Sequence, residues 1–247
     1  MEKYMSANRK KIQCHVSVDD TDGVFQELCD EKYRSIWQHP FWYNLRRLHE
    51  KWGCSFTLYV FGGLENKLDL FKKELMIKEL QECSTWIKAA YHGNDSEDIV
   101  AFQENFCMTK RFLSQLMGED AIAHIIRLHR FQAAYDVVDY LESQGVKGLL
   151  TADDNRLSYD LCEEQVQNLR KEGVVQKGSM MYLHTDVRLE KWEFLTQYYD
   201  WKKRDCKILV LFTHERYIKK RFSFVLLKLG LLLKMVHRSC DVNYICK

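Results

Sequence analysis

Short apolar runs and longer helical patterns alternate along the whole chain. The first run, Ile12 to Asp20, sets Ile12, Cys14, Val16 and Val18 on one side of an extended segment and finishes in two consecutive carboxylates, Asp19 and Asp20. It predicts a strand that delivers acids to its C-terminal end. After the turn Thr21-Asp22-Gly23, residues Phe41, Leu45, Leu48 and Trp52 recur at helical spacing behind Pro40 and stop at Gly53. Further strands are predicted at Ser55 to Phe61, Trp86 to Tyr91, Ile122 to Leu128, Leu149 to Ala152, Met180 to Val187 and Ile208 to Phe212. Helical patterns separate them: Leu68 to Leu80, the segment holding Ile99, Phe106 and Leu113, Phe131 to Leu141, Glu163 to Lys171 and Trp192 to Lys202. Strands parted by helices call for a parallel sheet with right-handed crossovers. Seven or eight such units in 247 residues predict an α/β fold, a single distorted (β/α) barrel over 1–247.

The most apolar run, Phe222 to Val236, predicts a terminal helix, over 216–237, that packs against the barrel, with a membrane-surface role the alternative that the basic cluster Lys219-Lys220-Arg221 ahead of it permits. Lys228 and Lys234 interrupt it, and it is too short to span a membrane. Val242 to Cys246 reads as a last short strand closing the barrel.

Composition narrows the picture without redrawing it. Hydrophobic residues at 46% and charged residues at 29% fit a globular protein, and a net charge of +2 gives no electrostatic case for nucleic acid as partner. Nine cysteines without a CxxC pair, and an N-terminus without an apolar signal segment, predict reduced thiols and a cytoplasmic address.

Residues able to hold a metal or move a proton gather at the predicted strand ends: Asp19 and Asp20, His92, Arg127 with His129, Asp153 with Asp154, Asp186, and His214 with Glu215. In α/β folds these ends carry the chemistry. Consecutive acids point to opposite sides of a strand unless the backbone turns, so one can ligate a cation while the other takes a proton from its bound water. The same pair can instead cap the following helix. His214 reads as an acid tuned by a nearby carboxylate, or as a salt-bridged structural residue. Asp153, Asp154 and Asp186, with Arg156 and Arg188, read as charge networks orienting Asp19 or Arg127, or as groups binding sugar hydroxyls.

Taken in order, these strand-end motifs resemble those of the polysaccharide deacetylases, carbohydrate esterases that fold as a distorted (β/α) barrel and use a metal to remove acetyl groups. The resemblance runs from Ile12 to Glu215. Ser17-Val18-Asp19-Asp20 looks like the first motif, which implies Asp19 as general base and Asp20 as a metal ligand. His92 sits where the second motif begins with a metal-binding His. Arg127-Leu128-His129-Arg130-Phe131 resembles the third, an Arg followed by a groove-walling loop, and Phe212-Thr213-His214 the last, which implies His214 as general acid. The chain departs from the pattern at Ser96, where the family has its second metal-binding His, and at His129, where it has Pro. With His129 supplying the missing imidazole, the implied site is Asp20, His92 and His129, with Asp95 the other candidate for third ligand.

The resemblance therefore implies a hydrolase that uses a divalent metal, zinc above others, to remove an acyl group from a carbohydrate or glycan precursor. Arg127, Asp153, Asp154, Asp186 and Glu215 would bind or orient that substrate. Two rivals stand beside it: a metal-free, glycosidase-like hydrolase using paired carboxylates such as Asp19 and Asp154, and a catalytically degenerate carbohydrate-binding barrel, which the eroded second motif favours.

Overall fold

The computed structural model describes residues 11–63, 74–93, 98–131, 135–154, 156–204, 206–220, 223–239 and 242–245. Strand β1 (Ile12–Asp19) follows the alternation of its sequence. Cys14, Val16 and Val18 are buried among the apolar residues of the flanking helices, while His15, Ser17 and Asp19 turn the other way and are buried as well. A polar side that never meets water needs partners inside the protein. Tyr59 supplies one link across the interior, its hydroxyl reaching the Ile125 carbonyl at 3.0 Å and His15 Nε2 at 3.3 Å. Burial first, and then the charge of Arg127, push the His15 imidazole down to about 3, so it stays neutral in that interior.

Helices α1 (Asp22–Glu27) and α2 (Pro40–Trp52) come next. Helix α2 starts with Pro40 at its first position and His39 Nδ1 accepting from the Phe41 N–H. It ends at Gly53, whose φ of 61° suits a residue without a Cβ. The chain then alternates through β2 (Phe56–Val60), α3 (Glu74–Glu82), β3 (Ile87–Tyr91), α4 (Ile99–Met117), β4 (Ile125–Ile126), α5 (Tyr135–Ser143), β5 (Gly148–Leu150) and α6 (Glu163–Glu172). The hairpin β6 (Val174–Lys177) and β7 (Met180–Leu183) leads to β8 (Val187–Arg188), α7 (Phe194–Lys203) and β9 (Ile208–His214).

Strand β1 pairs in parallel with β2 on one side and β9 on the other, within the order β3-β2-β1-β9-β8. A second set, β4-β5-β7, is also parallel, with β6 added antiparallel at its edge. Two seams join the sets. Ala89 bridges to Ile122, on the run leading into β4, and Ala123 N–H donates to the Ala89 carbonyl. Strands β7 and β8 are successive parts of one run whose first half pairs with β5 and whose second half pairs with β9. The result is an α/β fold of mostly parallel strands arranged in the manner of a (β/α) barrel.

The C-terminal segment differs from expectation in two ways. The helix over 216–237 is two helices, α8 (Glu215–Ile218) and α9 (Phe224–Ser239). Within α9, Lys228 is buried, and its Nζ donates to the Leu189 and Lys191 carbonyls at 3.1 and 2.7 Å. Strand β10 (Val242–Tyr244) does not close the barrel. Strand β9 already occupies one edge of β1 from Gln13 to Asp19, so β10 pairs with Ile12 to Cys14 on the other edge, which β2 uses only at Ser17 and Val18. Among the described residues no helix is long and apolar enough to cross a membrane.

Candidate functional site

At the end of β1 the backbone turns into the left-handed region, with φ 60° at Asp20, and the two acids part. Asp19 points into the barrel. Its carboxylate accepts from Arg127 Nη1 at 3.1 and 3.3 Å, and both side chains are buried. Arg127 Nη2 donates to Thr185 Oγ1 at 3.0 Å, Thr185 donates in turn to the Thr151 carbonyl, and the guanidinium lies 4.2 Å from the Phe212 ring centroid. One arginine therefore ties β1 to the strands of both sets.

Asp20 stands at the mouth with 40% of its side chain exposed. His92, just past the end of β3, faces it with Nε2 at 3.7 Å from Oδ1. The Nδ1 of His92 lies 2.6 Å from the Arg127 carbonyl, which can only accept, so Nδ1 carries the proton. Burial, the largest influence, lowers the His92 pKa below its ordinary value, which leaves Nε2 with a lone pair. Two acceptors thus face each other across a gap that a donor would fill.

On the opposite side of Asp20, His214 Nε2 lies 3.9 Å from Oδ2. This imidazole is held from behind by Glu190, whose Oε1 meets Nδ1 at 2.8 Å and also accepts from Thr213 Oγ1 and the His214 N–H. Burial pulls His214 down, but the Glu190 carboxylate, with Asp19 and Asp20 adding to it, raises the pKa above the usual value. Burial pushes Glu190 the other way, yet His214, Arg188 and Thr213 bring it down to about 2. The Glu190 contact therefore favours the protonated form of His214, whose Nε2 faces Asp20.

The other expected residues fall at different distances from this centre. His129 packs against Phe61 and His92, with ring centroids at 5.1 and 5.6 Å, and its N–H donates to the His92 carbonyl. Asp153 pairs with Lys191 at 2.6 Å. Asp154 is held by Arg156, the first cause of its lowered pKa, and Arg156 lies over the Phe131 ring that Arg127 also approaches. Glu215 opens α8, and burial raises its carboxyl despite Lys219 at 3.6 Å. Asp186 lies deeper. Its carboxylate accepts from Val210 N–H at 2.8 Å and from Arg204 at 2.9 Å, four residues before His214 on β9 and so roughly 13 Å down the strand. Asp95 and Ser96 lie outside the described residues.

Three residues missing from the sequence reading belong here. Glu190 sets the state of His214. Phe61 walls the mouth between His92 and His129. Asp22, in the first turn of α1, is pushed up to about 6 by burial, with the neighbouring Asp20 carboxylate adding to the rise. The residues do not complete a metal centre: among those described, no group of three or more His, Cys, Asp or Glu side chains is placed to hold an ion.

No protein-family model matches this sequence, and no curated protein does. Solved structures do. A 4-alpha-glucanotransferase from Thermococcus litoralis superposes with a TM-score of 0.63 at 14% identity over 96% of this chain, which spans only 39% of that protein. A putative polysaccharide deacetylase from Mycobacterium smegmatis gives 0.58 at 12% identity, covering 97% of this chain and 90% of the other. The Puue allantoinase gives 0.58 at 10% identity, covering 98% and 92%. At these identities the likeness is one of fold: a barrel shared with enzymes, two of them named for glycans.

Proposed function

We propose that this chain is a glycan-binding barrel that holds its ligand without a metal, at the Asp20, His92 and His214 mouth. The observation that carries the reading is the donor-shaped gap of 3.7 Å between two acceptors, Asp20 Oδ1 and His92 Nε2. A sugar hydroxyl supplies the donor there, and His214 Nε2–H meets a second oxygen of the ligand. Phe61, packed against His92 and His129, walls the mouth beside them. The likeness to barrels named for a glucanotransferase and a polysaccharide deacetylase supports a glycan as the ligand. Metal-dependent deacetylation lacks its third ligand among the described residues. In the paired-carboxylate reading Asp154 is engaged by Arg156, which lowers its pKa and makes it a poor general acid.

The experiment is calorimetry with a panel of malto-oligosaccharides and N-acetylglucosamine oligomers, with zinc and with chelator, beside an acetate-release assay. One glycan class is expected to bind equally in both conditions without acetate release. Asp20→Asn, whose amide would donate into the gap, is expected to weaken binding roughly ten- to a hundredfold. Stoichiometric zinc uptake accompanied by acetate release would restore the metal-dependent hydrolase instead.

A further inference from the structure

Helix α9 is apolar on two sides. Val225, Leu229, Leu232, Leu233 and Val236 are buried in the core. On the other side Phe224, Leu227 and Leu231 follow one another at i, i+3 and i+7, with 70%, 71% and 43% of their surfaces exposed. With Leu48 and Trp52 of α2 they line a groove of about 610 Å³. Trp192, itself 80% exposed, continues the patch, its ring 6.2 Å from that of Phe224. Scattered exposed apolar side chains are ordinary, but a contiguous set rimmed by polar groups marks a contact surface.

The rim is of one sign. Arg47, Lys51 and Lys234 line the groove, and among the described residues no acidic one does. We propose that the α2–α9 face docks on an anionic bilayer surface, lying on it without crossing it. Phe224 and Leu227 keep most of their surface exposed even as they line the groove. A rigid partner would need a matching pocket for each, whereas the boundary between headgroups and acyl chains deforms around them. An exposed Trp at the edge of such a patch suits the headgroup level, and the three cations meet anionic headgroups. A second copy of the chain presenting the same face would set cation against cation.

The test is flotation of the full chain with vesicles. It is expected to float with vesicles of mixed phosphatidylcholine and phosphatidylglycerol and to stay behind with phosphatidylcholine alone, with partitioning that falls as salt rises. Lys51→Gln and Lys234→Gln are each expected to lower partitioning about fivefold, and Leu227→Ser about tenfold or more. Brominated acyl chains are expected to quench the native fluorescence more than that of Trp192→Phe. All four side chains are exposed, so the variants keep the fold. Absence of flotation would overturn the proposal, as would unchanged flotation of the Lys51→Gln, Lys234→Gln double variant. So would a lipid-independent dimer that Leu227→Ser dissolves, which assigns the face to a second copy.

Discussion

Glu190 decides what His214 is. Its carboxylate takes the Nδ1 hydrogen bond and is the main influence opposing the burial that lowers the imidazole pKa. The pair's contribution to stability has two edges. Glu190, at about 2 in the fold against 4.5, contributes above pH 4.5 and loses that contribution as pH falls toward 2. His214, raised above 6.5, contributes below that value and loses it as pH rises through the folded pKa. Glu190→Gln is expected to move the NMR titration of His214 to lower pH and to cost about 1–3 kcal/mol between those edges, read by urea unfolding at several pH values. A His214 titration that stays in place would show that the carboxylate does not set it. Glu190 was within reach of the sequence: it keeps the period-two spacing of Asp186 and Arg188, but the predicted strand stopped at Val187. The depth of Asp186 was out of reach for the complementary reason. A strand-end position in the sequence carries no information on depth, and the backbone places it against Val210.

At the scale of elements, the pattern of apolar spacing was sufficient wherever a segment buries one face against a continuous core, as α2 does between Pro40 and Gly53. It was insufficient for β6, which has four residues, an exposed Gln176 and no buried row to impose alternation. The Gly178-Ser179 pair between β6 and β7, with Gly178 at φ 61°, was the available hairpin signal. The junction before β6 is tight. Gly173 ends α6 at φ 78°, and a Cβ added there would overlap the Cys206 sulfur. Gly173→Ala is expected to cost roughly 2–4 kcal/mol, part from the left-handed backbone and part from the overlap. Cys206→Ala in the same background should recover only the second part, giving a coupling of about 1 kcal/mol in a double-mutant cycle. Strictly additive losses would mean that the two residues do not meet.

For the molecule as a whole, the repeating strand and helix pattern made the mostly parallel α/β arrangement legible, because parallel strands can only be joined through crossovers. The seams between the two strand sets were beyond it. They depend on single bridges such as Ala89 to Ile122 and on one run changing neighbours at Thr185, which leave no periodic trace. The convergence of Asp20, His92 and His214 follows from that closure, and the left-handed turn at Asp20 completes it. The turn has a cost: a residue with a Cβ sits where glycine is at ease, with a second carboxylate beside it at Asp19. Asp20→Gly is expected to raise stability by up to about 1 kcal/mol in thermal unfolding while abolishing glycan binding, and a lower melting temperature would contradict the strain. Any laboratory selection of this chain for heat resistance alone would therefore be drawn to position 20 and would return a hardier barrel with its mouth disarmed.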